Sequence, residues 1–458
     1  MTLTWAAFAA VGVFGIAYAL FVWREDQKTW VAAGAAVIGL LVSLAAVGLP
    51  STGPGAVASG VCTLFGYVPI GSPWHICPNQ GFVEWDTLGL LFGLFLLASL
   101  LNRLKVFQYL AIRLAEKTEG QPVRLFLALS LLSFGLSAFI NSITVMVVLA
   151  TITLEVARAL RISPVNLLLA EISCSNVGVA ATFVGDPPNV ILGTYFGLGF
   201  NAFLLYAAPL ALGALAVTLV GFSLLARRDE RKEAAARAGS VEVAERSLPA
   251  LPELDRPKVL MAVGAFVATI GLLIFNLDLP PSVGEIGVVG AALALLVAGR
   301  EGARELLKGL DWMTLGFFFF LFLMVGSLQL TGVVDAVAQG LGSAGSGSVL
   351  LLASLLLWSL GLLSSVVDNV PLAAAAAPIL QSLQIHRGVP VGSMVYATAV
   401  GTDVGGNGTP IGASANVVGL AVARKAGVRI SWGTYIARAF PIMVGSLLAA
   451  NFVLLIWH

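Results

Sequence analysis

Trp85-Asp-Thr-Leu-Gly-Leu-Leu-Phe-Gly-Leu-Phe-Leu returns 227 residues later as Trp312-Met-Thr-Leu-Gly-Phe-Phe-Phe-Phe-Leu-Phe-Leu, identical at eight of twelve positions. Apolar matches are common in a chain rich in Leu and Phe, so the polar and glycine positions carry the comparison. Carried on without a gap, the same shift sets Ser137 on Ser364 and Asn141-Ser142 on Asp368-Asn369. It then sets Thr182 on Thr409, Gly185 on Gly412 and Asn189 on Asn416. Self-similarity held at one shift over a hundred positions reads as an internal structural repeat.

Composition says what the repeat is made of. Of 458 residues, 58% are hydrophobic and 11% charged, with a mean hydropathy of +0.95. A soluble domain carries about 25% charged residues, because it must present a polar skin to water. Nearly charge-free runs recur at 88–101, 204–226 and 350–367, so the chain reads as an all-α polytopic membrane protein. A soluble enzyme, a nucleic-acid binder and a disordered scaffold are excluded, and a net charge of +1 implies no polyanionic partner. The 50 glycines point to close helix contacts and broken helices. His75, His386 and His458 fall in apparent loops or at the terminus, which leaves haem or quinone chemistry without ligands. No P-loop, H-E-x-x-H or nucleophile elbow is present, so the chain reads as neither an ATP-driven pump nor an enzyme.

Loop charges orient the spans, since cytoplasmic loops are enriched in Lys and Arg. Residues 48–84 contain neither and are placed outside, whereas 102–124 hold Arg103, Lys105, Arg113, Lys117 and Arg124 and are placed inside. The segment 227–258 has eight basic and seven acidic residues and reads as a cytoplasmic linker. Residues 276–283 and 331–348 are placed outside, 300–308 and 424–429 inside. Residues 1–22 read as a first span rather than a cleavable signal. Cys62 and Cys77 share the long outer loop and could pair or stay reduced, while Cys174 reads as a small core residue.

Trp85 is thereby outside and Trp312 inside, so the repeats are inverted through the membrane plane. The organisation expected is N-terminal spans and an outer loop at 1–84, then repeat 1 at 85–226 and the linker at 227–257. Further spans follow at 258–311, then repeat 2 at 312–458. Each repeat holds a re-entrant hairpin (125–158; 349–385) and a broken helix (165–200; 390–424). The count is nine crossings plus two hairpins, with both termini outside. Inverted repeats are a hallmark of secondary transporters, because exchanging the halves' conformations exchanges the open side.

Chemistry is expected at four polar breaks that should meet near the midplane. The hairpin tips supply Asn141, Ser142 and Thr144, and Asp368 and Asn369. The broken helices supply Thr182, Asp186 and Asn189, and Asp403, Asn407, Thr409, Ser414 and Asn416. Pro187 and Pro188 remove backbone donors, and a helix broken there exposes N–H groups on one half and carbonyls on the other. The former suit an anion and the latter Na⁺ or a proton-linked water. Asp186, Asp368 and Asp403 are carboxylates at membrane depth, functional by default because burying them is costly. A Na⁺ would sit near Asn141, Asn189, Asp368 and Asn416. Glu155 and Glu171 read as interfacial, and the Phe317–Phe320 cluster as packing or lipid-facing.

Ser137-Ala-Phe-Ile-Asn-Ser-Ile-Thr, Leu169-Ala-Glu-Ile-Ser-Cys-Ser-Asn-Val-Gly and Gly185-Asp-Pro-Pro-Asn-Val-Ile resemble the first repeat of ArsB-type permeases, especially their P-protein branch. Val367-Asp-Asn-Val-Pro-Leu and Gly405-Gly-Asn-Gly-Thr-Pro-Ile-Gly-Ala-Ser-Ala-Asn-Val-Val resemble that branch's second repeat, and Ile430-Ser-Trp-Gly-Thr-Tyr the ArsB end. Wider relatives are the ion transporter superfamily, with NhaD antiporters and citrate and dicarboxylate carriers. The resemblance implies a homodimer in the plasma or inner membrane whose transport domain slides against a scaffold, elevator fashion. It also implies that the tips and broken helices hold substrate and coupling ion. One departure is the first tip, Asn141-Ser142 where that branch reads Asp-Asn, which leaves the two tips unequal in charge.

The leading expectation is a secondary active transporter of a small inorganic ion, an oxyanion or a neutral metalloid acid such as arsenite. It needs no cofactor beyond H⁺ or Na⁺ as coupling ion. A Na⁺/H⁺ antiporter and a passive anion channel are the alternatives. Citrate or dicarboxylate carriage ranks below them, because no basic residue lies in the four breaks to pair a second carboxylate.

Overall fold

The computed structural model describes residues 5–24, 27–47, 64, 67–68, 75–76, 81–119, 121–160, 162–236, 249–275, 282–344, 348–387 and 390–457. Lipid offers the backbone no hydrogen-bond partner, so the apolar runs satisfy their own N–H and C=O groups as helices. Helices α1 (Trp5–Trp23) and α2 (Lys28–Val47) precede the long loop. In that loop β1 (Tyr67–Val68) pairs antiparallel with β2 (His75–Ile76); Cys62 and Cys77 lie outside the described residues. Then come α3 (Trp85–Arg103), α4 (Val106–Lys117), α5 (Pro122–Ser137), α6 (Ser142–Leu160), α7 (Val165–Val179), α8 (Pro187–Tyr195) and α9 (Phe200–Ala236). The second half runs α10 (Arg256–Phe275), α11 (Val283–Gly309), α12 (Trp312–Leu330), α13 (Val333–Ala344), α14 (Val349–Ser364) and α15 (Asn369–Arg387). It closes with α16 (Gly392–Gly405), a 3₁₀ turn (Gly406–Gly408), α17 (Ser414–Lys425) and α18 (Trp432–Trp457).

Eight of these helices are long and apolar enough to cross a membrane: α2, α3, α6, α9, α10, α11, α12 and α18. Of these, α6 is an arm of the first hairpin, which pairs α5 with α6 as the second pairs α14 with α15. Helices α1, α5, α7 and α14 are shorter apolar segments among the described residues. His386 lies in the last turn of α15 and not in a loop.

The duplication is visible bond by bond. Asn189 Nδ2 donates to Val179 O at 2.7 Å and Thr182 O at 2.9 Å. Asn416 Nδ2 donates to Gly406 O at 2.7 Å and Thr409 O at 2.8 Å, each partner displaced by the same 227 residues. Thr182 Oγ1 donates to Ala138 O, and Thr409 Oγ1 to Ser365 O. Ser137 and Ser175 share a 2.6 Å bond, and Ser364 donates to Thr402 O at 2.6 Å. A Cβ at Gly178 would overlap the Phe134 carbonyl, and one at Gly405 the Gly361 carbonyl. In each repeat a hairpin arm thus lies backbone-to-backbone against the first half of a broken helix.

Outside that layer, α3 packs on α11 through Gly89 and Gly93 against Gly284 and Gly287, where small residues let two backbones approach. Helix α2 packs on α12, and Thr29 Oγ1 donates to Met313 O at 2.7 Å. Phe317 and Phe318 are buried in the core and Phe319 and Phe320 pack at its edge, as a packing cluster.

Candidate functional site

The breaks come from local sequence. Pro187 and Pro188 open α8 and hold the preceding Asp186 extended, at φ −146° and ψ 158°. Its repeat mate Ala413 takes the same conformation before α17, at φ −147° and ψ 148°. Asp186 therefore occupies an N-cap position, yet its side chain makes no cap bond to its own helix. The carboxylate faces the hairpin tips instead. It accepts from Asn141 Nδ2 at 3.3 Å and from Asn369 Nδ2 at 3.0 Å. The same Asn369 Nδ2 donates to Asp403 Oδ1 at 2.9 Å. One amide from the second tip thus joins both broken helices, and Asn141 closes the first tip onto Asp186. Asp186, Asn369 and Asp403 are all buried.

Asp368 stands beside this cluster and is more open, with its side chain 21% exposed. Its Oδ1 accepts from Val370 N at 3.4 Å, as Asn141 Oδ1 does from Ile143 N at 2.8 Å. Its Oδ2 is 3.9 Å from Lys28 Nζ, which in turn lies 5.2 Å from the Phe317 ring centroid. Lys28, Phe317, Asp368 and Ser414 line a small cavity of about 30 Å³. The expectation that no basic residue serves the breaks is therefore corrected: the cation arrives from α2, remote in sequence. Its signal was a lysine opening an otherwise charge-free helix.

The remaining expected residues divide by role. Asn189 and Asn416 brace the broken helices through their Nδ2 groups, and Thr182 and Thr409 tie each break to its hairpin. Asn407 accepts from Asn176 Nδ2 at 2.8 Å and donates to Ser173 O at 3.3 Å, joining the two repeats. Asn176, which sequence reasoning did not select, also donates to Asn416 Oδ1 at 2.8 Å. Ser142 is buried and Thr144 half-buried in the first turn of α6.

Glu171, read from the sequence as interfacial, is enclosed by protein. It is fully buried on α7, and its Oε1 accepts from Thr153 Oγ1 at 2.5 Å. Glu155 is exposed.

A larger cavity, of about 400 Å³, opens at the Trp85 end of α3, between α3, α12, α8 and α15. Its polar wall is Glu84, Tyr195, Gln329 and Gln381. Tyr195 Oη donates to Gln381 Oε1 at 2.7 Å and accepts from Gln329 Nε2 at 3.3 Å. Burial first, and then the neighbouring Asp86 charge, push the Glu84 carboxyl up to about 7.

Residues 18–401 match the family described as the citrate transporter, CitMHS. The chain belongs to the CitMHS family. An uncharacterized transporter of Mycobacterium tuberculosis is 35% identical over 361 residues, 76% of this chain and 81% of that one. The P protein of Homo sapiens is 27% identical over 526 residues, 98% of this chain and 60% of that protein. The crystal structure of the YdaH transporter of Alcanivorax borkumensis shares the fold, with a TM-score of 0.59 at 15% identity, over 93% of this chain and 98% of that one. This CitMHS chain is an integral, multi-pass membrane transporter.

Proposed function

We propose that the protein is a secondary active transporter of a small inorganic ion, coupled to H⁺ or Na⁺. The leading case is an oxyanion or an uncharged polyhydroxyl acid of the arsenite type, as for the ArsB-type permeases. The observation that carries this reading is the bridge Asp186–Asn369–Asp403, in which one hairpin-tip amide holds both broken helices. A tip that opens to admit solute must break or remake bonds to two carboxylates, which ties solute binding to their charge. Amides and hydroxyls at Asn141, Ser142 and Ser414 would meet the solute. The cluster that slides is the two hairpins with the two broken helices. The scaffold is α2, α3, α11 and α12, in a homodimer.

A second reading is monovalent cation/proton antiport, favoured by three carboxylates standing against one ammonium at the breaks. The family description names citrate, and Lys28 supplies a basic group that such a substrate needs. That ammonium already faces Asp368, so a polycarboxylate would meet an excess of like charge. Flux into proteoliposomes under an imposed pH or Na⁺ gradient separates these readings. Uphill arsenite or oxyanion accumulation is the expected outcome. Na⁺-dependent proton movement without any anion would favour antiport, citrate accumulation the polycarboxylate carrier. Flux indifferent to both gradients at channel-like rates would sink the transporter reading.

A further inference from the structure

Among the buried side-chain oxygens of the described residues that have no hydrogen-bond partner, two belong to the broken helices of the site: Asp403 Oδ2 and Asn189 Oδ1. Both residues are essentially inaccessible, at 1% and 0% exposure. An unmet acceptor at this depth is costly, and an unmet carboxylate oxygen more so. The orientation of the Asn189 amide is settled by its own bonds. Its nitrogen donates to Val179 O and Thr182 O, so its oxygen is the unpaired end.

The inverted repeat shows what these two atoms are to each other. Asp403 is the repeat mate of Asn176, and Asn189 is the repeat mate of Asn416. Asn176 Nδ2 donates to Asn416 Oδ1 at 2.8 Å, joining the first half of one broken helix to the second half of the other. Inversion maps that bond onto Asp403 and Asn189, and α16 does pack against α8. In this second copy of the junction the donor amide has become an acid. By this mapping a carboxylate and an amide oxygen, both acceptors, take the places that hold a hydrogen bond in the first copy.

We infer that Asp403 carries the coupling proton, and that in this state its O–H donates to the Asn189 amide oxygen. This rests on the reading of the protein as a cation-coupled transporter and names the coupling ion as H⁺. A protonated Asp is the one form of that side chain with a donor. A single proton on Oδ2 satisfies both orphan oxygens and restores the bond made by Asn176 in the other half. The remaining oxygen, Oδ1, keeps the Asn369 amide. Proton release to water on the open side leaves an anion facing Asn189 Oδ1, and sharing one donor with Asp186. The second hairpin tip must then yield, which is how the charge of Asp403 reaches the solute site.

Besides Tyr396 on α16 itself, the ionisable groups on the elements packed around it include Glu171 and Cys174 on α7, Asp186 and Tyr195 at the two ends of α8, Tyr206 with Arg227 and Arg228 on α9, Asp368 before α15 and Tyr435 on α18. The Arg438–Asp229 ion pair, at 3.0 Å, stays at the ends of α18 and α9 away from the tips. Of the ionisable groups, Asp186 is the one bonded to the same amide donor as Asp403.

The test is infrared difference spectroscopy of the detergent-purified protein between acid and alkaline pH, in H₂O and D₂O. The unmutated protein is expected to show a protonated-carboxyl C=O band that shifts with ¹³C-aspartate labelling. Asp403→Asn restores the first copy's amide donor, so it should fold, lose that band, and lose pH-driven accumulation in proteoliposomes. A labelled band that persists in Asp403→Asn would overturn the assignment. So would a band insensitive to aspartate labelling in the unmutated protein, which needs no variant at all. A rise in melting temperature with NaCl over choline chloride, lost in Asp403→Asn, would place Na⁺ between the two oxygens instead. The spectroscopic readout requires no solute, so failure of the transport reading and failure of this one are told apart.

Discussion

Lys28 Nζ stands 3.9 Å from Asp368 Oδ2, and this contact joins a helix packed on α12 to the tip of the second hairpin. The first tip, with Asn141 at the equivalent position, has no charge there for an ammonium to meet. The inequality of the two tips is therefore matched by an inequality in what surrounds them. At the two tips, the cation from α2 meets the one that carries an acid. Any movement of the second tip relative to α2 would have to part this pair.

Replacing Lys28 by Met should thus have two measurable effects. Both side chains are 21% exposed, which sets the pair between the weak surface limit and the buried one. A loss of about 1–3 kcal/mol is expected, read as a lower melting temperature in detergent. Gradient-driven flux should fall, and Lys28→Arg should retain most of both properties. Unchanged flux in Lys28→Met would remove the residue from the conformational cycle.

Asn369 is the single amide shared by Asp186 and Asp403, and its removal leaves two buried carboxyl groups without their common donor. A hydrogen bond to a charged group contributes about 1.5–3 kcal/mol. Asn369→Ala is accordingly expected to lower initial flux by about 10–100-fold while the protein still reaches the membrane. Its repeat mate Ser142 has no such pair to hold, and Ser142→Ala should cost far less. Equal losses at the two positions would count against the bridge as the coupling element.

The repeat, the membrane class and the four breaks were legible because they rest on local signals. Prolines 187 and 188, the glycines around Asn407 and the shift from Trp85 to Trp312 are visible in the chain itself. Partners remote in sequence were not. Lys28 and Asp368 are 340 positions apart, and a lysine opening a charge-free helix does not by itself say which break it faces. The enclosure of Glu171 was hidden, because distance in sequence from a basic loop does not show that α7 is packed between α5, α6 and α9. The role of Asn189 and Asn416 was likewise hidden. An asparagine that lines a site and one that braces a broken helix have the same neighbours in sequence, and differ in where the amide nitrogen points.

Close backbone approach gives a sharper expectation for the glycines. A Cβ at Gly405 would overlap the Gly361 carbonyl, and one at Gly178 the Phe134 carbonyl, with backbone unable to move aside as a flexible side chain could. Overpacking of this kind costs about 1–3 kcal/mol or more. Gly405→Ala and Gly178→Ala should both reduce monodisperse material on size-exclusion chromatography. Gly135→Ala, whose Cβ meets nothing within 4 Å, serves as the control. Wild-type behaviour of both tight variants would show that the hairpins do not lie against the broken helices as described.

Glu84 offers a pH dependence whose sign can be worked out in advance. The residue directly precedes α3, with no cap bond from its side chain, and lines the 400 Å³ cavity with Tyr195, Gln329 and Gln381. Burial, followed by repulsion from Asp86, raises its carboxyl from the ordinary 4.5 to about 7. Between those values the folded protein binds a proton that the unfolded chain has released, so folding stability falls as pH rises through the window and levels off above it. The melting temperature in detergent should therefore decline from about pH 5 to about pH 8. Glu84→Gln keeps the shape and removes the titration, and should flatten that part of the profile. If the decline survives in Glu84→Gln with its midpoint unchanged, another group is responsible, and Glu84 is not held in the buried position that raises it.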